Sequence, residues 1–83
     1  MNKVLVELYV PSLGKSYDVY IPLTSRVAEV KVLLAKAIGD LSEGGYPPMN
    51  EVLLCDYITG KEYDVNLKVY ELEIDNGSKL MLI

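Results

Sequence analysis

Few residues of this chain could carry out catalytic chemistry. Cys55 is the single cysteine among 83 residues, and the chain contains no histidine. Histidine is the commonest acid–base group near neutral pH, so a Cys–His nucleophile cannot be assembled. We therefore predict that Cys55 is a small buried apolar side chain. A single cysteine also excludes an intrachain disulfide, which favours a reducing compartment such as the cytoplasm.

Carboxylates and glycines form three short patterns with possible chemical meaning. Glu71, Glu73 and Asp75 could serve as the paired acid and base of sugar hydrolysis. A domain this small offers no cleft for a sugar, so we predict that these carboxylates lie on a solvent-exposed edge. The run 75–77 lacks the remaining ligands of a calcium loop. The pair Gly44–Gly45 lacks the Lys-Ser/Thr of a phosphate-binding loop. We predict that the protein is not an enzyme and has no catalytic residue, metal or cofactor.

The charge and hydropathy of the chain argue against two classes of partner. Twelve acidic and 8 basic residues give a net charge of −4, and the basic residues are scattered. Nucleic acid is not expected as a partner, because phosphate backbones are bound by clustered Lys and Arg. No apolar run approaches the ~20 residues that span a bilayer, so direct membrane insertion is not expected. We expect a single cytoplasmic domain covering residues 1–83.

One amphipathic helix is predicted, over residues 24–41. Thr24 or Ser25 could cap its first backbone N–H groups, and Gly39 offers a place to end. Because no other segment has the helical period, its apolar stripe must pack against a sheet. Leu33 lies off this stripe, and it could widen the buried face or receive another chain. The stripe consists of Val27, Val30, Leu34, Ala37, Ile38 and Leu41.

The remaining segments read as short strands and turns. Residues 3–10 and 16–22 alternate apolar and polar side chains around a Pro- and Gly-containing turn, which is typical of a β-hairpin. After a loop over 42–50, we predict a strand at 51–58, a short strand at 62–63, a helical turn within 66–74 and a final strand at the end. The predicted fold is α+β in ββαβββ order, with one helix across one face of a mixed sheet. Its first and last strands would be parallel central neighbours.

Asp56 predicts the orientation of the third strand. An unpaired carboxylate does not sit in a small core, so Asp56 should point to solvent. Alternation then directs Val52 and Leu54 outward as well, and Leu53, Cys55 and Tyr57 inward. The opposing interpretation is a register shift of one residue, which would turn every side chain of the strand to the other face.

The order and spacing of these elements resemble the β-grasp, ubiquitin-like family over essentially the whole chain. No single motif is specific. The resemblance is carried by the Leu13–Lys15 turn, the Val30-Lys31 pair, the Pro47-Pro48 pair, the Gly60-Lys61 turn and the closing pattern from Val69 through Ile74 to Leu80 and Leu82.

The C-terminal sequence separates the subgroups of this family. Ubiquitin-type modifiers and sulfur carriers end in Gly-Gly, whereas this sequence ends in a predicted strand, residues 78–83. We therefore do not expect conjugation or sulfur transfer, with a modifier or sulfur carrier whose C-terminus is missing as the alternative. The ending is most similar to that of the YukD/EsaB-like group. That resemblance implies an accessory protein of a bacterial type VII (ESX/WXG100) secretion system, with secretion components as protein partners.

An exposed apolar patch is the predicted partner-binding site. By parity, five residues on neighbouring strands point away from the helix, and an exposed apolar patch usually marks a binding site or an oligomer contact. The resemblance to ubiquitin implies the same side of the sheet. Tyr9 and Tyr20 also point outward, whereas Tyr17, Tyr57 and Tyr63 are predicted in the core. A homodimer is a weaker alternative. The five residues are Leu5, Val52, Leu54, Met81 and Ile83.

Overall fold

The computed structural model of the chain describes residues 2–41 and 52–83. Four strands form one sheet in the order β2-β1-β4-β3, and one α-helix crosses it. The predicted α+β fold with one helix against a mixed sheet is confirmed. The elements are β1 (Lys3–Val10), β2 (Lys15–Pro22), α1 (Val27–Leu41), β3 (Leu54–Asp56), a short 3-10 turn (Val69–Glu71) and β4 (Lys79–Leu82).

The hairpin formed by β1 and β2 follows the sequence prediction. The two strands pair antiparallel from Lys3 opposite Pro22 to Val10 opposite Lys15. The turn between them places Gly14 at a φ of 63°, which glycine adopts without steric cost. Strand β1 also pairs with β4 in parallel, as predicted, so β1 and β4 form the centre of the sheet.

The start of α1 is stabilised by backbone carbonyls. The N–H groups of Val27 and Ala28 donate to the carbonyl oxygens of Leu67 and Val65, at 2.9 and 3.1 Å. The helix begins at Val27, so the prediction of Thr24 or Ser25 as N-cap is wrong. The segment leading to the 3-10 turn supplies the acceptors that a capping side chain would otherwise provide.

The helix also differs from prediction at its C-terminal end. It passes through Gly39 and ends at Leu41, which is 57% exposed instead of buried. Ala35 takes part in the buried face, and Ala37 is only half-buried. The stripe is therefore shifted by a fraction of a turn at this end.

The second half of the chain contains less strand than predicted. Strand β3 covers three residues of the predicted 51–58, and the predicted strand at 62–63 is reduced to one bridge between Cys55 and Glu62. The predicted helical turn is present as the 3-10 turn Val69–Glu71, and the predicted final strand is present as β4. The predicted loop over 42–50 lies outside the described residues.

The core lies between α1 and the sheet. None of the residues buried in the described ranges is polar or charged. Within these ranges, no helix is long and apolar enough to cross a bilayer. The core cluster consists of Val4, Val6, Leu8, Val10, Ile21, Val27, Val30, Leu34, Ala35, Ile38, Val52, Leu54, Val69, Ile74, Leu80 and Leu82.

Candidate protein-binding surface

The open sheet face, defined as the side of the sheet opposite α1, carries three of the five predicted binding residues. Leu5 and Met81 are half-buried there, and Ile83 follows β4 with 49% of its surface exposed. Val52 and Leu54 are 3% and 1% exposed and belong to the core cluster. Their predicted outward orientation is therefore wrong.

The third strand has the orientation of the opposing interpretation because Asp56 is hydrogen-bonded. Asp56 ends β3 opposite Leu80, whose side chain is fully buried. Its Oδ1 accepts a hydrogen bond from the N–H of Ile58 at 2.8 Å, and the residue is only half-buried. A carboxylate satisfied in this way at the end of a strand can share the side of the core residues. Consequently Leu53 and Tyr57 are exposed, and the predicted inward orientation of both residues is wrong.

The exposed apolar side chains that flank β3 extend the open sheet face at one end. Met81 is the register partner of both Tyr9 on β1 and Cys55 on β3, so these three residues form one row across three strands. The Tyr9 and Tyr57 rings meet edge to face, with centroids 5.6 Å apart. The backbones of Leu53 and Ile83 exchange two hydrogen bonds, of 2.7 and 3.0 Å. We call the surface formed by Tyr9, Leu53, Tyr57, Met81 and Ile83 the β3–β4 patch.

Leu5 does not belong to the β3–β4 patch. It pairs with Tyr20 of β2 and accepts a hydrogen bond from the N–H of Gly77, at the opposite end of β1 from Tyr9. Glu7 and Lys79 are register partners between these two ends and place a charged row across the face. The structure therefore divides the predicted surface into two apolar regions.

Cys55 lies under the β3–β4 patch and is not a reactive thiol. It is 3% exposed but lies outside the core cluster. Burial, and then the Glu62 carboxylate, raise the pKa of the Cys55 thiol, so the thiol stays protonated at neutral pH. No group of three or more His, Cys, Asp or Glu side chains in the described residues could hold a metal ion.

Tyr63 occupies the core side of the neighbouring segment, as predicted. Its N–H donates to the carbonyl oxygen of Leu54 at 2.9 Å, and its side chain packs against the core. Burial raises the pKa of Tyr63 to about 12, with smaller contributions from Asp56 and Cys55. The phenol therefore stays neutral and contributes packing area.

Sequence reasoning found part of this surface. The alternation of β1 and β4 correctly placed Tyr9 and Met81 on the open sheet face. The alternation does not find Leu53 and Tyr57, because an orientation of the third strand that rests on Asp56 alone turns both inward. The preference of Asp for strand ends and turns, together with Gly60 four residues later, is the signal that could have corrected it.

Comparison with known proteins supports the fold. No family model and no curated protein matches the sequence. A chain of the MycP5-free ESX-5 inner membrane complex matches with a TM-score of 0.83 and 19% identity, over 100% of this chain. This chain spans 21% of the length of that relative.

Two isolated domains match along nearly their whole lengths. The EccD5 ubiquitin-like domain from Mycobacterium xenopi has a TM-score of 0.81 and 20% identity, covering 100% of this chain and 94% of the domain. The ubiquitin-like domain of the Mycobacterium tuberculosis type VII secretion system protein ECCD1 has a TM-score of 0.79 and 12% identity, covering 100% and 99%. The protein has the ubiquitin-like β-grasp fold.

Proposed function

We propose that this protein is a small non-catalytic, ubiquitin-like accessory protein of a bacterial type VII secretion system. It acts in the cytoplasm by protein–protein contact, as a ubiquitin-like domain of the YukD/EsaB type. The observation that carries the proposal is the structural similarity to two type VII or ESX-associated ubiquitin-like domains over 100% of this chain.

The β3–β4 patch is the surface through which we propose that it binds its partner. Ile83, Tyr57 and Leu53 are 49%, 47% and 38% exposed, on adjoining segments around half-buried Met81. Tyr and Met are enriched in protein interfaces, where their large contact areas stabilise binding. The absence of histidine and the raised pKa of the Cys55 thiol favour binding over catalysis.

A secretion assay with a surface variant tests this proposal. In the source bacterium, deletion of the gene should reduce export of the system's WXG100 substrate, and the wild-type gene should restore it. Met81→Glu should fail to restore export, because a charge at the centre of the β3–β4 patch must be desolvated when the partner binds. Export of the substrate is measured by immunoblotting the culture medium, with a Sec-dependent protein as loading control.

Val32→Glu is the matched control variant. Val32 is 68% exposed on α1, so the same charge is introduced on the other side of the molecule. It should restore export fully, and circular dichroism should show both variants folded. Normal export in the deletion strain would refute the secretion role. Full restoration by a folded Met81→Glu protein would refute the β3–β4 patch as its binding surface.

A further inference from the structure

The turn before β4 contains a dipeptide whose own atoms can react with each other. Of the four asparagines in the sequence, Asn76 alone is followed by glycine. Because Gly77 has no Cβ, no side chain stands between its backbone nitrogen and the side-chain amide carbon of Asn76. Both residues are exposed to water. Asn76 is therefore the asparagine of this chain best suited to spontaneous deamidation.

Deamidation of this dipeptide needs no reactant other than water. The backbone nitrogen of Gly77 bonds to Cγ of Asn76, the bond from Cγ to the amide nitrogen breaks, and the proton of the Gly77 N–H leaves with that nitrogen as ammonia. The resulting succinimide ring then takes up one water molecule. Opening of the ring at Cγ gives aspartate. Opening at the backbone carbonyl carbon gives isoaspartate, in which the main chain runs through Cβ and Cγ.

In the folded protein, both reacting groups are held by the backbone of one residue. Oδ1 of Asn76 accepts a hydrogen bond from the N–H of Leu5 at 2.8 Å. The N–H of Gly77 donates to the carbonyl oxygen of Leu5, also at 2.8 Å. We call these two hydrogen bonds the Leu5–turn contact. The first fixes the side chain that is attacked, and the second holds the proton that the attacking nitrogen must lose, so the ring can form only when the contact opens.

The turn that carries the dipeptide is itself held closed. The N–H of Ser78 donates to the carbonyl oxygen of Asp75 at 3.0 Å, and Oγ of Ser78 accepts from the N–H of Asp75 at 2.9 Å. Gly77 has a φ of 89°, in the left-handed region that favours glycine. A rearrangement of the dipeptide must therefore break hydrogen bonds of the turn as well.

The Asn76 side chain continues the parallel pairing of β1 with β4. The N–H of Glu7 donates to the backbone carbonyl oxygen of Ser78 at 2.9 Å, and two residues earlier Asn76 Oδ1 takes the place of such a carbonyl for Leu5. Aspartate at position 76 would keep an oxygen acceptor there. Isoaspartate lengthens the main chain by a methylene and attaches the free carboxylate directly to Cα. Its acceptor and the Gly77 N–H can then no longer meet the backbone of one residue together.

We propose that Asn76 is a modification site controlled by the Leu5–turn contact. The closed contact protects Asn76 from cyclisation, each opening exposes it, and isoaspartate, once formed, keeps the contact open. Asn76 does not belong to the β3–β4 patch, and the inference does not depend on the secretion role.

Deamidation of the wild-type protein, compared with a synthetic peptide covering residues 73–79, tests the protection. Both are incubated in the same buffer, and the deamidated fraction is followed by mass spectrometry. The protein should react at least about tenfold more slowly than the peptide. The ratio of the two rates should be no smaller than the factor by which folding slows hydrogen exchange of the Gly77 amide, because both reactions need the same opening. Equal rates, or a smaller ratio, would overturn the proposal.

Two glycine substitutions in β1 test whether the opening is local. Leu5→Gly keeps the N–H and C=O groups of the contact but loosens the strand there, so deamidation should become about two- to fivefold faster. Tyr9→Gly is the matched control, because Tyr9 is half-buried on the same face near the other end of β1. It should change the rate by less than about twofold. Circular dichroism verifies that both variants are folded. Equal acceleration by both would assign the opening to unfolding of the whole domain and overturn the proposal.

The effect of the product is tested with the isoaspartate form, isolated by chromatography from aged protein. Asn76→Asp, which carries the other product, is the control. It should unfold at nearly the same urea concentration as the wild type and keep slow hydrogen exchange at the amides of Leu5 and Gly77. The isoaspartate form should unfold at a lower urea concentration and exchange both amides rapidly. Slow exchange of these amides in the isoaspartate form would overturn the claim that the modification keeps the contact open.

Discussion

The two faces of the sheet are formed by alternate residues of the same strands, but they differ in how deeply those side chains are buried. On the face covered by α1, Leu8, Leu54 and Leu80 are at most 1% exposed. On the open sheet face, the intervening residues Tyr9 and Met81 are half-buried and do not belong to the core cluster. The covered face therefore supplies the burial that stabilises the fold, while the open sheet face is available for recognition.

The open sheet face is also less uniform than the covered face. The pair formed by Glu7 and Lys79 separates Leu5 and Tyr20 at one end from the β3–β4 patch at the other. A partner that fills the patch need not contact Leu5 at all. The alternation of residues along a strand determines which face each side chain lies on. The pairing register between strands determines which of those side chains are neighbours.

The largest expected effect comes from placing the same charge on the two faces of β3. Leu54→Glu buries an unpaired carboxylate among core residues, so we expect a loss of at least about 4 kcal/mol in the free energy of unfolding, enough to unfold a domain of this size. Leu53→Glu, on the exposed neighbour, should cost less than about 1 kcal/mol. Urea unfolding followed by circular dichroism measures both.

The outcome distinguishes the two possible orientations of the strand. If Leu54→Glu were folded and Leu53→Glu unfolded, β3 would have the orientation predicted from the sequence and the comparison of faces would fail there. Leu53→Gln and Leu54→Gln variants carry a side chain of the same shape as Glu but without its charge. They therefore separate the effect of the charge from that of the lost apolar area.

Substitution of Asp56 should change the stability by a smaller amount, and it tests the same orientation of β3. Asp56→Ala removes the acceptor for the Ile58 N–H and should destabilise the protein by about 1 kcal/mol. Asp56→Asn keeps an oxygen acceptor and should cost about half as much or less. If Asp56 were an unsatisfied carboxylate forced toward the core, Asp56→Ala would stabilise the protein. Chemical denaturation at pH 7 measures whether Asp56→Ala lowers or raises the free energy of unfolding.

The central part of the fold could be predicted from the sequence because its signals are long and regular. In β1, four consecutive alternations end with Val10 fully buried, and no polar residue interrupts the buried face. The helix stripe from Val27 to Ile38 spans three turns, which leaves little freedom in phase. The alternation of β4 likewise places its apolar side chains under the same helix.

The β3 region could not be predicted in the same way because it is short and stabilised by contacts distant in sequence. Three residues of strand carry too few alternations to fix parity, so one misjudged carboxylate reversed it. Likewise, the start of α1 depends on the carbonyl groups of Val65 and Leu67, about forty residues later. Such backbone contacts leave no mark on side-chain type, so Thr24 and Ser25 were credited with a role they do not have.

The smallest expected effect concerns two tyrosines that the sequence had placed together in the core. Tyr57 is 47% exposed beside Tyr9, whereas Tyr63 packs against the core and has a pKa raised to about 12. A tyrosine in the unfolded chain loses its proton near pH 10, so the contribution of neutral Tyr63 is present below that pH and is lost as the pH rises toward 12.

Tyr63→Phe removes the ionisable group but keeps the ring, so it isolates this contribution from that of the other tyrosines and lysines. Between pH 8 and 11.5, the free energy of unfolding of the wild type should fall more steeply than that of Tyr63→Phe, by roughly 1 kcal/mol after allowance for solvent screening. Identical pH profiles for wild type and Tyr63→Phe would place Tyr63 in solvent. The contrast between Tyr63 on the core side of the sheet and Tyr57 on the open side would then be lost.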